Sequence, residues 1–134
     1  MRIGSLANAL QYSTCGLAAE RFRMDTISSN IANANTVARP GEDGYRRRSV
    51  VLNATDSGVQ IESVQEDHER PCLQKVDWSN PFHDPQTGMV TMSNVDPTME
   101  MVDMISASRA YEANIAAFNT VKGMIGSALQ IGKA

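Results

Sequence analysis

The stretch NVDPTMEMVDMISASRAYEANIAAFNTVKGMIGSALQI, residues 94–131, opens with the signals of a helix start. Asp96 has the side chain of an N-cap, and Pro97 suits the first helical position, where its missing N–H is harmless. Glu100 and Asp103 lie near the positive end of the helix dipole, and Lys122 and Lys133 lie toward the negative end. Met101, Met104, Ser108, Tyr111, Ile115, Phe118, Lys122, Ile125 and Leu129 follow at alternating spacings of three and four, which predicts a coiled-coil-like seam. A second stripe runs two residues later through Ser106, Ala110, Ala113, Ala117, Thr120, Met124 and Ser127. Two residues turn a helix by about 200°, so small residues face away from the bulky ones. Such a helix can pack on both sides. Gly123 and Gly126 weaken its last turns, as fraying points or as places of close helix approach.

The other end of the chain carries a matching pattern. From about Ser5 to Ala34, the positions Leu6, Leu10, Ser13, Leu17, Glu20, Met24, Ile27, Ile31 and Ala34 repeat the same spacing, broken only by Ser13 and Glu20. Ser5 is read as the N-cap, and the Asn-rich stretch after Ile31 ends the helix, because Asn competes for local backbone hydrogen bonds. Its side chains are expected to satisfy backbone groups where helix meets strand. Both seams need packing partners, so the two terminal segments are expected to be mobile in a free subunit.

Between the helices the pattern changes to short strands at 49–52, 58–64, 73–76 and 88–92, separated by Gly-, Pro- and Asp-rich turns. The expected class is therefore α+β. A helix over 1–35 pairs with a helix over 96–134, and a small mainly-β domain occupies 36–95. A β unit of that size is marginal without neighbours.

Composition narrows the function classes. The 134 residues are 42% hydrophobic but only 5% aromatic, so Met and Ala carry much of the apolar load. That mix suits helix seams and adaptable interfaces. A net charge of −3 argues against nucleic acid as the main partner. The run Arg46-Arg47-Arg48 is too short and too poor in aromatics for strand binding. It reads first as a solvated strand edge and second as a contact for an acidic neighbour. Polar Asn8, Gln11, Tyr12, Ser13 and Thr14 interrupt the uncharged N-terminal stretch, so neither a cleavable signal peptide nor a membrane span is expected. Cys15 and Cys72 are read as unrelated small apolar residues. His68, Cys72, His83 and Asp84 fit no closed zinc spacing and are read as loop residues. No catalytic residue, metal or cofactor is expected.

Two segments carry a specific resemblance. Ser29-Asn30-Ile31-Ala32-Asn33-Ala34-Asn35-Thr36 resembles the N-terminal signature of the bacterial flagellar rod and hook axial proteins. Ser106-Ala107-Ser108-Arg109-Ala110-Tyr111-Glu112-Ala113-Asn114-Ile115, continued by Asn119-Thr120-Val121-Lys122, is similar to their C-terminal helix motif. The insertion from Val37 to Asp43, before Gly44-Tyr45-Arg46, resembles the short proximal-rod members of that family. So does the run from Asn80-Pro81 to Asn94-Val95-Asp96. The resemblance covers nearly the whole chain. It marks Asn30, Asn33, Asn35 and Thr36 as signature residues. It implies a structural subunit of the periplasmic rod of the flagellar basal body, exported by the flagellar type III apparatus, with copies of itself and other rod proteins as partners. The expected interface is Leu6, Leu10, Leu17, Met24, Ile27 and Ile31 on one helix and Met101, Met104, Tyr111, Ile115, Phe118, Ile125 and Leu129 on the other. Ala110, Ala113 and Ala117 form the second face. The rival reading is a helical-hairpin adaptor or export chaperone that does not polymerise.

Overall fold

The structure, a computed structural model, describes residues 3–132. Helix α1 runs Ile3–Asn33 and helix α2 runs Pro97–Ile131. Between them lie strands β1 (Arg48–Thr55), β2 (Gly58–Glu66), β3 (Gln74–Val76) and β4 (Met89–Thr91). The α+β arrangement expected from the sequence is present. At 1.5 Å per residue the helices are roughly 46 and 52 Å long, and they lie antiparallel along each other, with Asn30 against Glu100 and Gly16 against Asn114.

The ends of α2 and α1 follow from local chemistry. Asp96 is extended (φ −97°, ψ 109°), and its Oδ1 accepts a hydrogen bond from the Thr98 N–H at 2.9 Å, with Pro97 in the first turn. Glu100 is acidic at the positive end of the dipole, but no basic residue occupies the last turn. Lys122 sits further back, and the dipole role read for Lys133 lies outside the described residues. Ser5 is inside α1 and does not cap it. The apolar rhythm that began at Leu6 gave no sign that helical backbone extends to its N-terminal side. At the other end of α1, Asn33 Nδ2 donates to the Ser29 carbonyl at 2.8 Å, and the Thr36 N–H donates to the Asn33 carbonyl at 3.1 Å.

The strands form two separate antiparallel pairs. β1 and β2 make a hairpin from Arg48↔Glu66 to Thr55↔Gly58, with a bulge at Val51/Leu52 and Asp56-Ser57 at the tip. Gly58 there has φ +123°, a conformation few side chains adopt. The hairpin lies along α1: Tyr12 Oη donates to the Asp56 carbonyl at 3.1 Å, and the Cys15 thiol lies 3.7 Å from the Ser57 carbonyl. β3 and β4 pair through Lys75↔Val90, and Val37 bridges to Met92 on the far side. Gly88 (φ +69°) lets the Trp78 ring lie directly on the backbone, in space a Cβ would fill.

Large apolar side chains do not fill the interior. The buried apolar residues are Ala19, Ile27, Ala34, Val90, Val95 and Ala107, whereas the two largest fully buried side chains are Glu100 and Asn30. Burial at the helix junction is therefore mainly polar, and most bulky apolar groups lie at the surface.

Candidate assembly interface

The row of α2 turned toward α1 runs Glu100, Met104, Ala107, Tyr111, Asn114, Phe118, Val121 and Ile125, each partly or fully buried. It is offset from the apolar stripe read in the sequence. Met104, Tyr111, Phe118 and Ile125 belong to both, but Met101 (56% exposed), Ile115 (39%) and Leu129 (63%) do not face inward. On α1, Leu6, Leu10, Leu17, Met24 and Ile31 are half-buried and Ile27 is buried. The first break in that seam is satisfied locally, and the second has an ion pair but leaves Glu20 Oε2 buried without a hydrogen bond. Ser13 Oγ donates to the Ala9 carbonyl at 3.0 Å, and Glu20 pairs with Arg23 at 3.7 Å.

Most of the rest of α2 is exposed. Met99, Met101, Val102, Ile105, Ile115, Met124, Leu129 and Ile131 are all exposed large apolar residues on one helix. Ala113 and Ala117 of the small-residue face are exposed as well, and Ala110 is half-buried. A Cβ at Gly123 or Gly126 would meet nothing within 4 Å, so neither glycine serves a close approach inside the subunit. An apolar surface of this extent on a helix points to a partner beyond the subunit.

A polar junction lies where α1 ends, β1 begins and α2 starts. Asn30, fully buried, uses its whole hydrogen-bonding capacity. Its Nδ2 donates to the Arg48 carbonyl (2.8 Å) and to Glu100 Oε2 (2.9 Å). Its Oδ1 accepts from the Arg48 N–H (3.0 Å) and from Tyr45 Oη (3.1 Å). The other oxygen of Glu100 accepts from Arg47 Nε, and Arg47 Nη2 donates to Asp103 Oδ2 at 2.8 Å. Burial disfavours the Arg47 cation, but the hydrogen bond to Glu100 and the charges of Glu100, Asp103 and Asp67 outweigh it and raise its pKa above the ordinary value. Asn94 closes the circuit: Oδ1 accepts from the Arg47 N–H at 2.6 Å, and Nδ2 donates to the Asp67 and Arg70 carbonyls. Asp67 itself is held below the usual carboxylate range, chiefly by the Arg70 N–H.

This placement corrects one sequence expectation. Arg47 is not a solvated edge residue but a fork clamped between two carboxylates of α2, a geometry that suits guanidinium. The carboxylates one helical turn apart at Glu100 and Asp103 were the available signal. Arg48 does face outward, paired with Glu66 at 3.2 Å and lying over the Tyr45 ring. Of the signature residues, Asn30 and Asn33 act on backbone groups. Asn35 is exposed, and the exposed Thr36 bonds Asn33 through both its N–H and its hydroxyl.

The loop residues weighed for chemistry are dispersed. His68 lies 3.9 Å from Glu66, His83 tilts against Trp78 with ring centroids 5.5 Å apart, and Cys72 lies beside Gly44. Among the described residues no group of three or more His, Cys, Asp or Glu is placed to hold a metal ion. No described helix is long and apolar enough to cross a membrane.

Comparison with known proteins gives a consistent result. Residues 10–38 match the family described as Flagella basal body rod protein, and residues 86–131 match the Flagellar basal body rod FlgEFG protein C-terminal family. The Flagellar basal-body rod protein FlgC of Bacillus subtilis is 37% identical over 148 aligned positions, covering 94% of this chain and 97% of the relative. The protein of the same name from Salmonella typhimurium is 37% identical over 135, covering 96% and 99%. That from Aquifex aeolicus is 40% identical over 119, covering 86% and 88%.

Proposed function

Because the chain belongs to the family of flagellar basal-body rod protein FlgC, we propose that it works by assembly, as a structural subunit of the flagellar rod. The observation that carries this reading is the α2 surface: a helix already paired on one side, with Met101, Ile105, Ile115 and Leu129 still exposed. Fully burying a side chain of this size from water is worth roughly 1.5–3 kcal/mol, and the part still exposed here contributes about half of that or less. The inward row holds the subunit together. The outer apolar residues and the small face at Ala110, Ala113 and Ala117 meet neighbouring copies and other rod proteins.

On this reading the chain has three working segments: the terminal segments 1–35 and 96–134, which carry α1 and α2, line the rod, and the β segment over 36–95 sits outside them. The flagellar type III apparatus delivers it to the periplasm. The two-faced helix, the half-buried α1 seam and the relatives' name as rod proteins support this. We assign it no catalytic residue, metal or cofactor. None of the findings favours a non-polymerising adaptor or export chaperone.

The test is isolation of intact basal bodies from a strain carrying a tagged copy. The protein should remain with the rod after detergent and salt washing. Recovery of the tag only in the soluble fraction of motile cells would overturn the reading.

A further inference from the structure

An antiparallel helix pair needs something to fix its offset, and in this chain the usual devices are weak. Residues 34–96 separate the two helices, so no short turn sets their register. Some of the tightest packing between them is made by small groups: Ala19 and Ala107 are buried, and Gly16 lies against Asn114, so close that a Cβ would come within 2.8 Å of its Nδ2. Apolar burial is non-directional. The bulky members of the seam, such as Leu17, Met24, Tyr111 and Phe118, are only half-buried, so they oppose sliding by a heptad less than a filled knobs-into-holes core would.

The polar junction is different in kind. Asn30 and Glu100 are both fully buried, every hydrogen-bonding position of the amide is filled, and both carboxylate oxygens of Glu100 are engaged. Asn30 grips both backbone groups of Arg48, and this places the preceding residue, Arg47, to reach Glu100 and Asp103. A heptad slip of α2 would bring Ala107 or Ser93 opposite Asn30 and leave a buried amide, a buried carboxylate and a half-buried guanidinium without partners. Unmatched buried polar groups are strongly disfavoured, and register selection is the best-attested use of such groups.

We propose that Glu100, held between Asn30 and Arg47, sets the register of α2 against α1, and so decides at what height along the pair the outward residues of α2 are presented. Glu100 is a positioning residue in this account. The consequence for assembly rests on the function proposed above, but the register itself is a property of the free subunit.

Disulfide mapping in purified monomer tests it. In a Cys15→Ser, Cys72→Ser background, Gly16→Cys with Asn114→Cys reports the native offset. Ala9→Cys or Arg23→Cys with Asn114→Cys reports a heptad slip in either direction. The unaltered junction should give the 16–114 disulfide alone. Glu100→Ala should lose that selectivity and form a slipped species. Glu100→Gln, which keeps an acceptor for Asn30, and Arg47→Lys, which keeps charge without the fork, should be intermediate. Ala113→Leu should leave the 16–114 preference intact whatever it does to assembly, which separates this inference from the rod reading. A folded Glu100→Ala protein that still forms only the 16–114 disulfide would overturn the proposal. If Glu100→Ala does not fold, full selectivity in both Glu100→Gln and Arg47→Lys would overturn it equally.

Discussion

The two ends of the helix pair are built on opposite principles. At the closed end, where α1 stops and α2 starts, buried Asn30 and Glu100 spend their polar groups on each other, on Arg47 and on the Arg48 backbone. Toward the open end, α2 carries Ile115, Met124, Leu129 and Ile131 into solvent. The first region has its buried polar groups saturated inside one chain, although Met99, Met101, Val102 and Ile105 on its outer side stay exposed. The second has its binding capacity unspent. A subunit that must be a defined object before assembly and adhesive during it can divide the work this way. Specificity sits where directional hydrogen bonds are, and affinity where apolar area is.

The largest effect in breaking this contrast should come from the closed end. Glu100→Ala leaves the Asn30 amide one acceptor short and the Arg47 guanidinium with Asp103 alone, and loss of one partner from a buried charged pair costs up to about 3–5 kcal/mol. Urea unfolding of the monomer should show a loss of that size, a large share of the roughly 5–15 kcal/mol typical of a domain. An unchanged midpoint would mean the junction is ornamental.

The outer face should behave in the reverse way. Ala113 is exposed, so Ala113→Leu should change monomer stability by no more than about 0.5 kcal/mol. Packed against a neighbour, the added bulk costs about 1–3 kcal/mol at each copy. The variant should be expressed and exported but absent from the rod, with swimming lost on soft agar. Normal swimming would remove the small-residue face from the interface.

Much of this division was legible in the sequence, for reasons that also mark where legibility ended. Asp96-Pro97 announced α2, and the alternating segments around Val51, Ile61 and Val90 announced strands. Those signals are local. The inward row of α2 was not fully legible, because two of its members, Glu100 and Asn114, are polar, while apolar Met101 and Ile115 lie outside it. Apolar periodicity locates a stripe, not the partner it faces. Arg47 was hidden for a similar reason. Its carboxylates lie more than fifty residues away in the chain, and only the fold brings them together. The strands' division into two separate pairs also depends on long-range pairing that no local pattern encodes.

The smallest effects should come from the loops outside both regions. Cys72→Ser, His68→Ala and His83→Ala take no part in the junction or the outer face. Each should leave motility near normal and shift stability by about 0.5 kcal/mol or less. A severe motility loss from Cys72→Ser, with normal stability and export, would show chemistry at a place where the account has none.

The central claim, that the polar junction is satisfied by the chain itself and the far half of α2 by its neighbours, is tested most directly by hydrogen exchange on the same protein in two states. In verified monomer, amides of 27–34 and 100–107 should exchange slowly and those of 113–131 quickly. In purified basal bodies, the first set should change little and the second should become protected. Slow exchange through residue 131 in the monomer, or no gain of protection there on assembly, would contradict the account.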